Sequence, residues 1–196
     1  MADDELLDVF DDRGWHQGVK RRDEVHRDGD WHLAFHLWVV RADGVLLQRR
    51  ARSKDSWPGR LDATAAGHLL AGEAIRDGLR EAEEELGVAY AFGDLTELGV
   101  HRVDESANRE LQHVFAVRDE RPLEAWTRFD RVELEGLVLV GHDAFAALTA
   151  GDGASVTAQA WDGATVEPVS VHAAELVPAP YLDGLTLALK RLGAAA

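Results

Sequence analysis

Residues 67–88 read GHLLAGEAIRDGLREAEEELGV, and this stretch decides the fold of the chain. Wound as a helix at about 100° per residue, its segment 74–86 has two different faces. One face carries the apolar residues Ile75, Leu79, Ala82 and Leu86. The other carries the acidic residues Asp77, Glu81, Glu84 and Glu85. Like charges three and four residues apart oppose helix formation, so we expect a divalent cation to offset the repulsion.

Two glycines bear on this predicted helix. Gly87 follows its last apolar residue and is a natural C-cap. Gly78 lies inside the helix, where glycine costs up to about 1 kcal/mol relative to alanine. Gly78 is either a tolerated flaw or a point of close packing against a neighbouring element, and the sequence leaves both explanations open.

The rest of the chain predicts a mixture of strands and helices. Strands are predicted over 6–10, 18–20, 32–41, 45–50, 90–103, 112–117, 137–140, 156–161 and 164–171. Turn residues at 42–44 and 162–163 join the flanking strands into hairpins. Further helices are predicted over 143–148 and 180–192. Mixed strands with two or three helices favour an α/β or α+β sandwich.

The composition excludes several classes of function. The chain has 196 residues, 46% of them hydrophobic, and no cysteine, which excludes disulfides, thiolate nucleophiles and zinc–cysteine sites. A formal net charge of −15 argues against nucleic acid and membranes as partners. No apolar run has transmembrane length, and the acidic start of the chain differs from a secretory signal. We expect a cytoplasmic protein, in which a polyanionic substrate would need a local basic patch or metal ions.

The opening stretch resembles the Nudix box of diphosphate hydrolases. That pattern is Gly, five residues, Glu, seven residues, then Arg-Glu-aliphatic-any-Glu-Glu-any-Gly-aliphatic. Residues 67–73 match the first half and residues 80–88 the second, but only six residues separate Glu73 from Arg80. The resemblance implies a Nudix-type α/β/α sandwich with a central mixed sheet. It also implies a single domain over 1–196, with a divergent C-terminal extension over 149–196 that forms a hairpin and a final helix.

The resemblance assigns a chemistry to the acidic face. The oxygens of a diphosphate repel an incoming nucleophile, and Mg²⁺ or Mn²⁺ offsets that charge and lowers the pKa of a bound water. The metal ligands implied by the resemblance are Glu81, Glu84 and Glu85. The catalytic candidates are the same three glutamates and Glu110, one of which helps to activate the water. Arg80 is expected to pair with Glu73, whose position the short loop leaves open. The alternative interpretation of the acidic helix face is that it is an ordinary solvated surface without a metal.

Segments 31–35, 49–59 and 66–68 narrow the resemblance, because they look like isopentenyl-diphosphate isomerases and their hydrolase relatives. These isomerases move a double bond with a cysteine that stands just before a Gly-His pair. The corresponding residue here is Ala66, which can neither donate nor accept a proton. The alanine argues against isomerase activity.

Basic residues near these segments are candidates for binding the substrate. Arg50 and Lys54 match positions that contact the diphosphate in the isomerases, and arginine offers a two-pronged contact where lysine offers a point charge. Arg80 completes the substrate-binding set. Trp57 is the one aromatic residue that we place near the site, because its loop adjoins the basic residues.

The isomerase resemblance also offers a second set of metal ligands. His26, His32, His68 and Glu110 could match the isomerase ligands, although Asn108 replaces a partner glutamate. The weaker metal candidates are therefore His68, Glu110 and the backbone of Gly67. The alternative, which the sequence favours, is that these histidines are ordinary polar residues retained from a shared fold.

These patterns lead to one main hypothesis and two alternatives. The main hypothesis is a hydrolase that needs Mg²⁺ or Mn²⁺ and cleaves a small-molecule diphosphate with water, alone or as a homodimer. The first alternative is an enzyme like isopentenyl-diphosphate isomerase. The second is a binding module that recognises a diphosphate without turnover, against which the complete carboxylate set argues.

Overall fold

The strands and helices of the chain were located in a computed structural model, which describes residues 4–105, 108–151 and 153–194. The strands are β1 (Leu6–Phe10), β2 (His16–Arg21), β3 (Trp31–Val40), β4 (Val45–Arg50), β5 (Leu61–Asp62), β6 (Ala65–His68), β7 (Thr96–Glu105), β8 (Asn108–Arg118), β9 (Leu134–Val140), β10 (Ser155–Trp161) and β11 (Val166–His172). The α-helices are α1 (Arg22–Asp28), α2 (Arg80–Leu86), α3 (His142–Thr149) and α4 (Leu182–Ala194). Among the described residues, no helix has the length and apolar character needed to cross a membrane.

Strand β3 lies at the centre of one mixed sheet. Its main path follows the order β11-β10-β9-β4-β3-β1-β2. Strand β8 runs parallel to β3 along its whole length, whereas β4 and β6 pair with β3 in the antiparallel sense. Because β6 pairs only with Ala34–Leu37, the sheet branches there and leaves an opening beside β3. The expected central mixed sheet is confirmed.

Helices cover both faces of this sheet. Phe35, Leu37 and Val39 of β3 belong to a buried cluster that includes residues of α2. The alternate residues Trp38 and Val40 belong to a second cluster with residues of α3 and α4. Side chains alternate between the two faces of a strand, so β3 contributes to both cores. The expected α/β/α arrangement is confirmed.

The predicted helix over 74–86 is wrong in its first half. Residues Ile75–Leu79 form a 3₁₀ helix, and the α-helix begins only at Arg80. A 3₁₀ helix rises about 2.0 Å per residue, against about 1.5 Å in an α-helix. The segment between Glu73 and Arg80 is one residue shorter than in the Nudix pattern, and the 3₁₀ form lets it span a greater distance than the same residues would in an α-helix. The apolar face packs as expected, with Ala82 and Leu86 buried and Ile75 and Leu79 partly buried beside them.

Several short elements were missed by the sequence patterns. Helix α1 has a single buried residue, Val25, and so carries almost no apolar periodicity. Strand β6 is built from Ala and Gly, which rarely favour strands, and exists because β3 pairs with it. The strand predicted from residue 90 begins at Thr96, because a 3₁₀ turn occupies Phe92–Asp94.

The C-terminal region joins the sheet. Strands β10 and β11 form the predicted hairpin, and β10 pairs with β9. Helix α4 buries Leu185 and Leu189 against the core that contains α3. The division of the chain into one domain with a divergent extension stays a prediction.

Gly78 marks a close contact between the 3₁₀ helix and the sheet. A Cβ atom on residue 78 would lie 2.7 Å from Cβ of Phe35, whose side chain is fully buried. Overpacking of this kind costs roughly 1–3 kcal/mol. Of the two explanations for this glycine, close packing is therefore the correct one.

Gly78→Ala is expected to lower the free energy of unfolding by roughly 1–3 kcal/mol. The matched control is Gly184→Ala in α4, where a Cβ would have no atom within 4 Å. The control should stabilise the fold by up to about 1 kcal/mol. Chemical denaturation of both variants measures the difference, and a stabilised Gly78→Ala would contradict the packing account.

Candidate active site

The carboxylates of α2 enter a cavity of about 730 Å³ that opens beside β3 and β6. Glu81 and Glu85 are buried, with 9% and 6% of their surface exposed, whereas Glu84 is exposed. Burial raises the pKa of Glu81 to about 7, although Arg80 opposes the shift. Burial also raises the pKa of Glu85 well above its ordinary value, and the neighbouring charge of Glu81 adds to the effect.

Strand β6 holds these two carboxylates in place. The backbone N–H of Ala66 donates to Oε2 of Glu85 at 3.1 Å, and Nε2 of Gln48 donates to the same oxygen at 3.3 Å. Gly67 lies directly against Glu81, so that any Cβ atom there would overlap the Glu81 carboxylate. The glycine of the motif thus leaves the space that the Glu81 carboxylate occupies against the strand.

A divalent cation fits this arrangement. Two carboxylates are buried side by side, and Arg80 forms an ion pair with Glu81, whereas among the described residues no basic side chain is recorded in an ion pair with Glu85. Oxygen ligands on one helix face, beside a backbone that approaches closely, are the donor set that Mg²⁺ and Mn²⁺ prefer.

Arg80 ties the loop before the helix to the site. Its Nε donates to Oε1 of Glu73 at 2.9 Å, and its Nη2 donates to the backbone oxygen of His68 at 2.8 Å. Its Nη1 lies 2.6 Å from Oε1 of Glu81 and 3.1 Å from Oε2 of Glu84. The predicted pairing with Glu73 therefore forms despite the missing residue, and all three guanidinium nitrogens already face oxygen atoms of the protein.

Three histidines from three different elements meet at one end of the cavity. His26 of α1, His32 of β3 and His68 of β6 each place a ring nitrogen within 4.8 Å of the others. Oε1 of Glu110 lies 3.3 Å from Nε2 of His68 and 3.8 Å from Nε2 of His32. Burial lowers the pKa of His32 to about 4 and also lowers the pKa of His68. Burial alone would raise the pKa of Glu110, but the hydrogen bond from His68 and the nearby histidines hold it below its usual range.

The hydrogen bonds of two histidines decide which nitrogen is available to a cation. Nδ1 of His32 lies 3.0 Å from the backbone oxygen of Asp30, so this nitrogen carries the proton and Nε2 keeps its lone pair. Nε of Arg22 donates to Nδ1 of His68 at 3.2 Å, which places the His68 proton on Nε2. His32 is therefore oriented as a metal ligand, whereas His68 could become one only after Arg22 moves.

The predicted phosphate-binding residues line the same cavity, paired with carboxylates. Arg50 donates to Asp62 at 3.1 Å, and Lys54 forms an ion pair with Glu133. Trp57 also lines the cavity, as the position of its loop beside the basic residues predicted. Among the described residues, it is the one non-glycine residue with a positive φ, at 51°.

Sequence reasoning missed several residues that line the cavity. They are Arg22, His36, Gln48, Asp62 and Gln112. The alternation of β3 was the available signal for His36, because a residue four positions after His32 in a strand lies on the same face. Arg22 could not have been found in this way, since the short helix that carries it gave no pattern.

Comparisons with known proteins agree with this geometry. The NUDIX domain family matches residues 30–159. An uncharacterised Nudix hydrolase of Clostridium acetobutylicum is 36% identical over 152 residues, which is 74% of this chain and 73% of that protein. An isopentenyl-diphosphate Delta-isomerase of Corynebacterium diphtheriae is 37% identical over 92 residues, which is 45% of this chain and 50% of the isomerase.

Solved structures support the fold. The crystal structure of DR0079 from Deinococcus radiodurans superimposes with a TM-score of 0.60 at 21% identity and covers 75% of this chain and 90% of that one. The family match spans more than half of the chain and includes the whole of the glycine–glutamate stretch. The chain therefore belongs to the Nudix family of hydrolases, which act on nucleoside diphosphate-X compounds and other acid anhydrides.

Proposed function

We propose that this protein hydrolyses an organic diphosphate, of the nucleoside diphosphate-X type or another, with Mg²⁺ or Mn²⁺ and with water as the nucleophile. The observation that carries the proposal is the burial of Glu81 and Glu85 against β6, in a cavity that also receives Arg50 and Lys54. Charged carboxylates are almost never buried without a partner, and a divalent cation is the partner that this family generally uses.

The cation would be held by one helix face and one strand. Its proposed ligands are Glu81, Glu84, Glu85 and the backbone carbonyl of Gly67. When bound, Mg²⁺ would offset the charge of the diphosphate and lower the pKa of a water molecule. Glu110 and His32, whose Nε2 keeps a lone pair, are the proposed ligands of a second cation, and His68 joins them once Arg22 moves away from its Nδ1.

The residues of the chain supply the remaining steps. Arg50 and Lys54 bind phosphate oxygens in exchange for their present partners, Asp62 and Glu133. The water oxygen then bonds to one phosphorus, the bond from that phosphorus to the bridging oxygen breaks, and one water proton passes to a carboxylate. The candidates for this base are three glutamates of α2, Glu81, Glu84 and Glu85, together with Glu110 of β8, all of which line the cavity.

The isomerase alternative loses support at Ala66. This residue lies in β6, lines the cavity and contributes its backbone N–H to Glu85. Its methyl group cannot transfer a proton, and the sequence contains no cysteine that could replace it.

Glu85→Gln is expected to reduce kcat by about 100-fold or more, because it removes a charged ligand from the centre of the site. The fold should persist, with an equal or higher Tm, because an uncompensated buried carboxylate is removed. The matched control is Glu83→Gln, on the same helix but exposed and outside the cavity. Phosphate-release assays and thermal unfolding test both variants, and full activity in Glu85→Gln would remove the proposed site.

Removal of divalent metal is expected to abolish hydrolysis. Dialysis against a chelator, followed by separate addition of Mg²⁺ and Mn²⁺, should restore turnover of the same diphosphate with at least one of the two ions. Turnover that persists in the chelated protein would contradict the assignment of the glutamates as metal ligands.

A panel of diphosphates separates the three hypotheses. With nucleoside diphosphate-X compounds and prenyl diphosphates, we expect release of a monophosphate or phosphate. With isopentenyl diphosphate, we expect no allylic isomer by NMR, because Ala66 replaces the required acid–base residue. Formation of the isomer would favour the isomerase, and binding without any product would favour the silent module.

A further inference from the structure

A buried hydrogen bond joins His36, which lines the cavity, to Tyr181, which lies outside that lining, and the hydrolysis described above does not use this pair. His36 of β3 is 9% exposed and lines the cavity beside the carboxylate site. Its Nδ1 lies 2.6 Å from the hydroxyl oxygen of Tyr181, which directly precedes α4. The two residues are 145 positions apart in the chain, so the C-terminal region contacts a residue that lines the site.

The direction of this hydrogen bond follows from the surroundings of the hydroxyl. Burial raises the pKa of the Tyr181 phenol well above its ordinary value, so the hydroxyl keeps its proton. Within the described part of the chain, His36 is the one acceptor recorded for this hydroxyl, since the indole N–H of Trp38, which also faces it, can only donate. A buried O–H without an acceptor costs about 1–3 kcal/mol. Tyr181 therefore donates, and Nδ1 of His36 accepts.

The donation fixes the proton of His36 on its other nitrogen. A neutral imidazole carries one proton, and a ring whose Nδ1 accepts must carry that proton on Nε2. Among the described residues, no hydrogen bond to Nε2 of His36 is found. This nitrogen is also not one of the fully buried polar side-chain atoms that lack a partner, so it is accessible. Nε2 thus offers an unused N–H donor toward the cavity.

The position of His36 places this donor near the reacting groups. In the pairing of β3 with β6, His36 stands opposite Ala66, whose N–H binds Glu85. His36 also lies on the same face of β3 as His32, which stands opposite Glu110 of β8. A neutral donor here suits a phosphate oxygen, because it can hydrogen-bond an anion without a charged partner of its own.

We propose that His36 donates a hydrogen bond from Nε2 to the bound diphosphate, and that Tyr181 is a positioning residue that holds His36 in the tautomer able to do so. The inference rests on the proposed function, since it requires a diphosphate in this cavity. It makes the segment ahead of α4 a part of the substrate site.

NMR tests the inference without any turnover. Long-range ¹H–¹⁵N correlation spectra of the protein with Mg²⁺ should show the His36 proton on Nε2, and addition of methylenediphosphonate should shift that resonance. In Tyr181→Phe nothing holds Nδ1 as an acceptor, so part of the proton population should appear on Nδ1 and the diphosphonate should bind several-fold more weakly. A proton on Nδ1 in the unmodified protein, or no shift with the diphosphonate, would overturn the proposal.

Kinetics on a hydrolysed diphosphate gives an independent readout. The amide of glutamine reaches as far as Nε2, whereas the amide of asparagine reaches only as far as Nδ1. We therefore expect His36→Asn to lower kcat by about 10- to 100-fold, in line with the loss of one preorganised donor. His36→Gln should recover most of that loss, and Tyr181→Phe should lower kcat by about 3- to 10-fold.

The matched control for Tyr181→Phe is Tyr90→Phe. Tyr90 also donates its hydroxyl to a partner, Asp119 at 2.8 Å, but it lies outside the cavity. The control should keep the kcat of the unmodified protein. Equal kcat in Tyr181→Phe and Tyr90→Phe, or full activity in His36→Asn, would refute the role of the pair. A protein that binds the diphosphonate at His36 but hydrolyses nothing would refute the proposed function and leave this inference standing.

Discussion

The approach of α2 to β6, across a glycine, is the contact on which the site depends. Because residue 67 has no side chain, the Glu81 carboxylate can lie against the strand. Because the strand backbone is then so close, the N–H of Ala66 reaches Glu85. The burial of both carboxylates follows from this contact, and so does the rise in their pKa values.

The sheet branches where the short strand β6 pairs with β3. Strand β6 is too poor in β-favouring residues to stand on its own, and it is held by the four positions of β3 that pair with it. Beyond those positions β3 pairs with β4 instead of β6. Residues of β3, β4 and β6 line the cavity.

Much of the architecture could be predicted from the sequence, because long strands and the apolar face of α2 have clear periods. The carboxylates, Arg50 and Lys54 could be named because they stand in recognisable order. The meeting of His26 with His32 and His68 could not be derived from periodicity, since His26 lies on a seven-residue helix with one buried side chain. His36 and Tyr181 lie 145 positions apart, and no local pattern links two residues at that separation. The start of the α-helix was misplaced because the 3₁₀ segment has the same apolar residues as an α-helix would have.

The cavity is built from two regions of the chain, and this has an evolutionary consequence. The proposed metal-binding carboxylates come from within the family match at 30–159, whereas Tyr181 comes from the region after it. Residues 177–179 of that later region line the same cavity, and Tyr181 contacts its lining through His36 of β3. Mutations that accumulate in the C-terminal region can thus reshape that part of the cavity while the metal-binding wall stays intact. Relatives that share the motif but differ in this region would inherit the same bond-breaking chemistry and diverge in the molecules they accept.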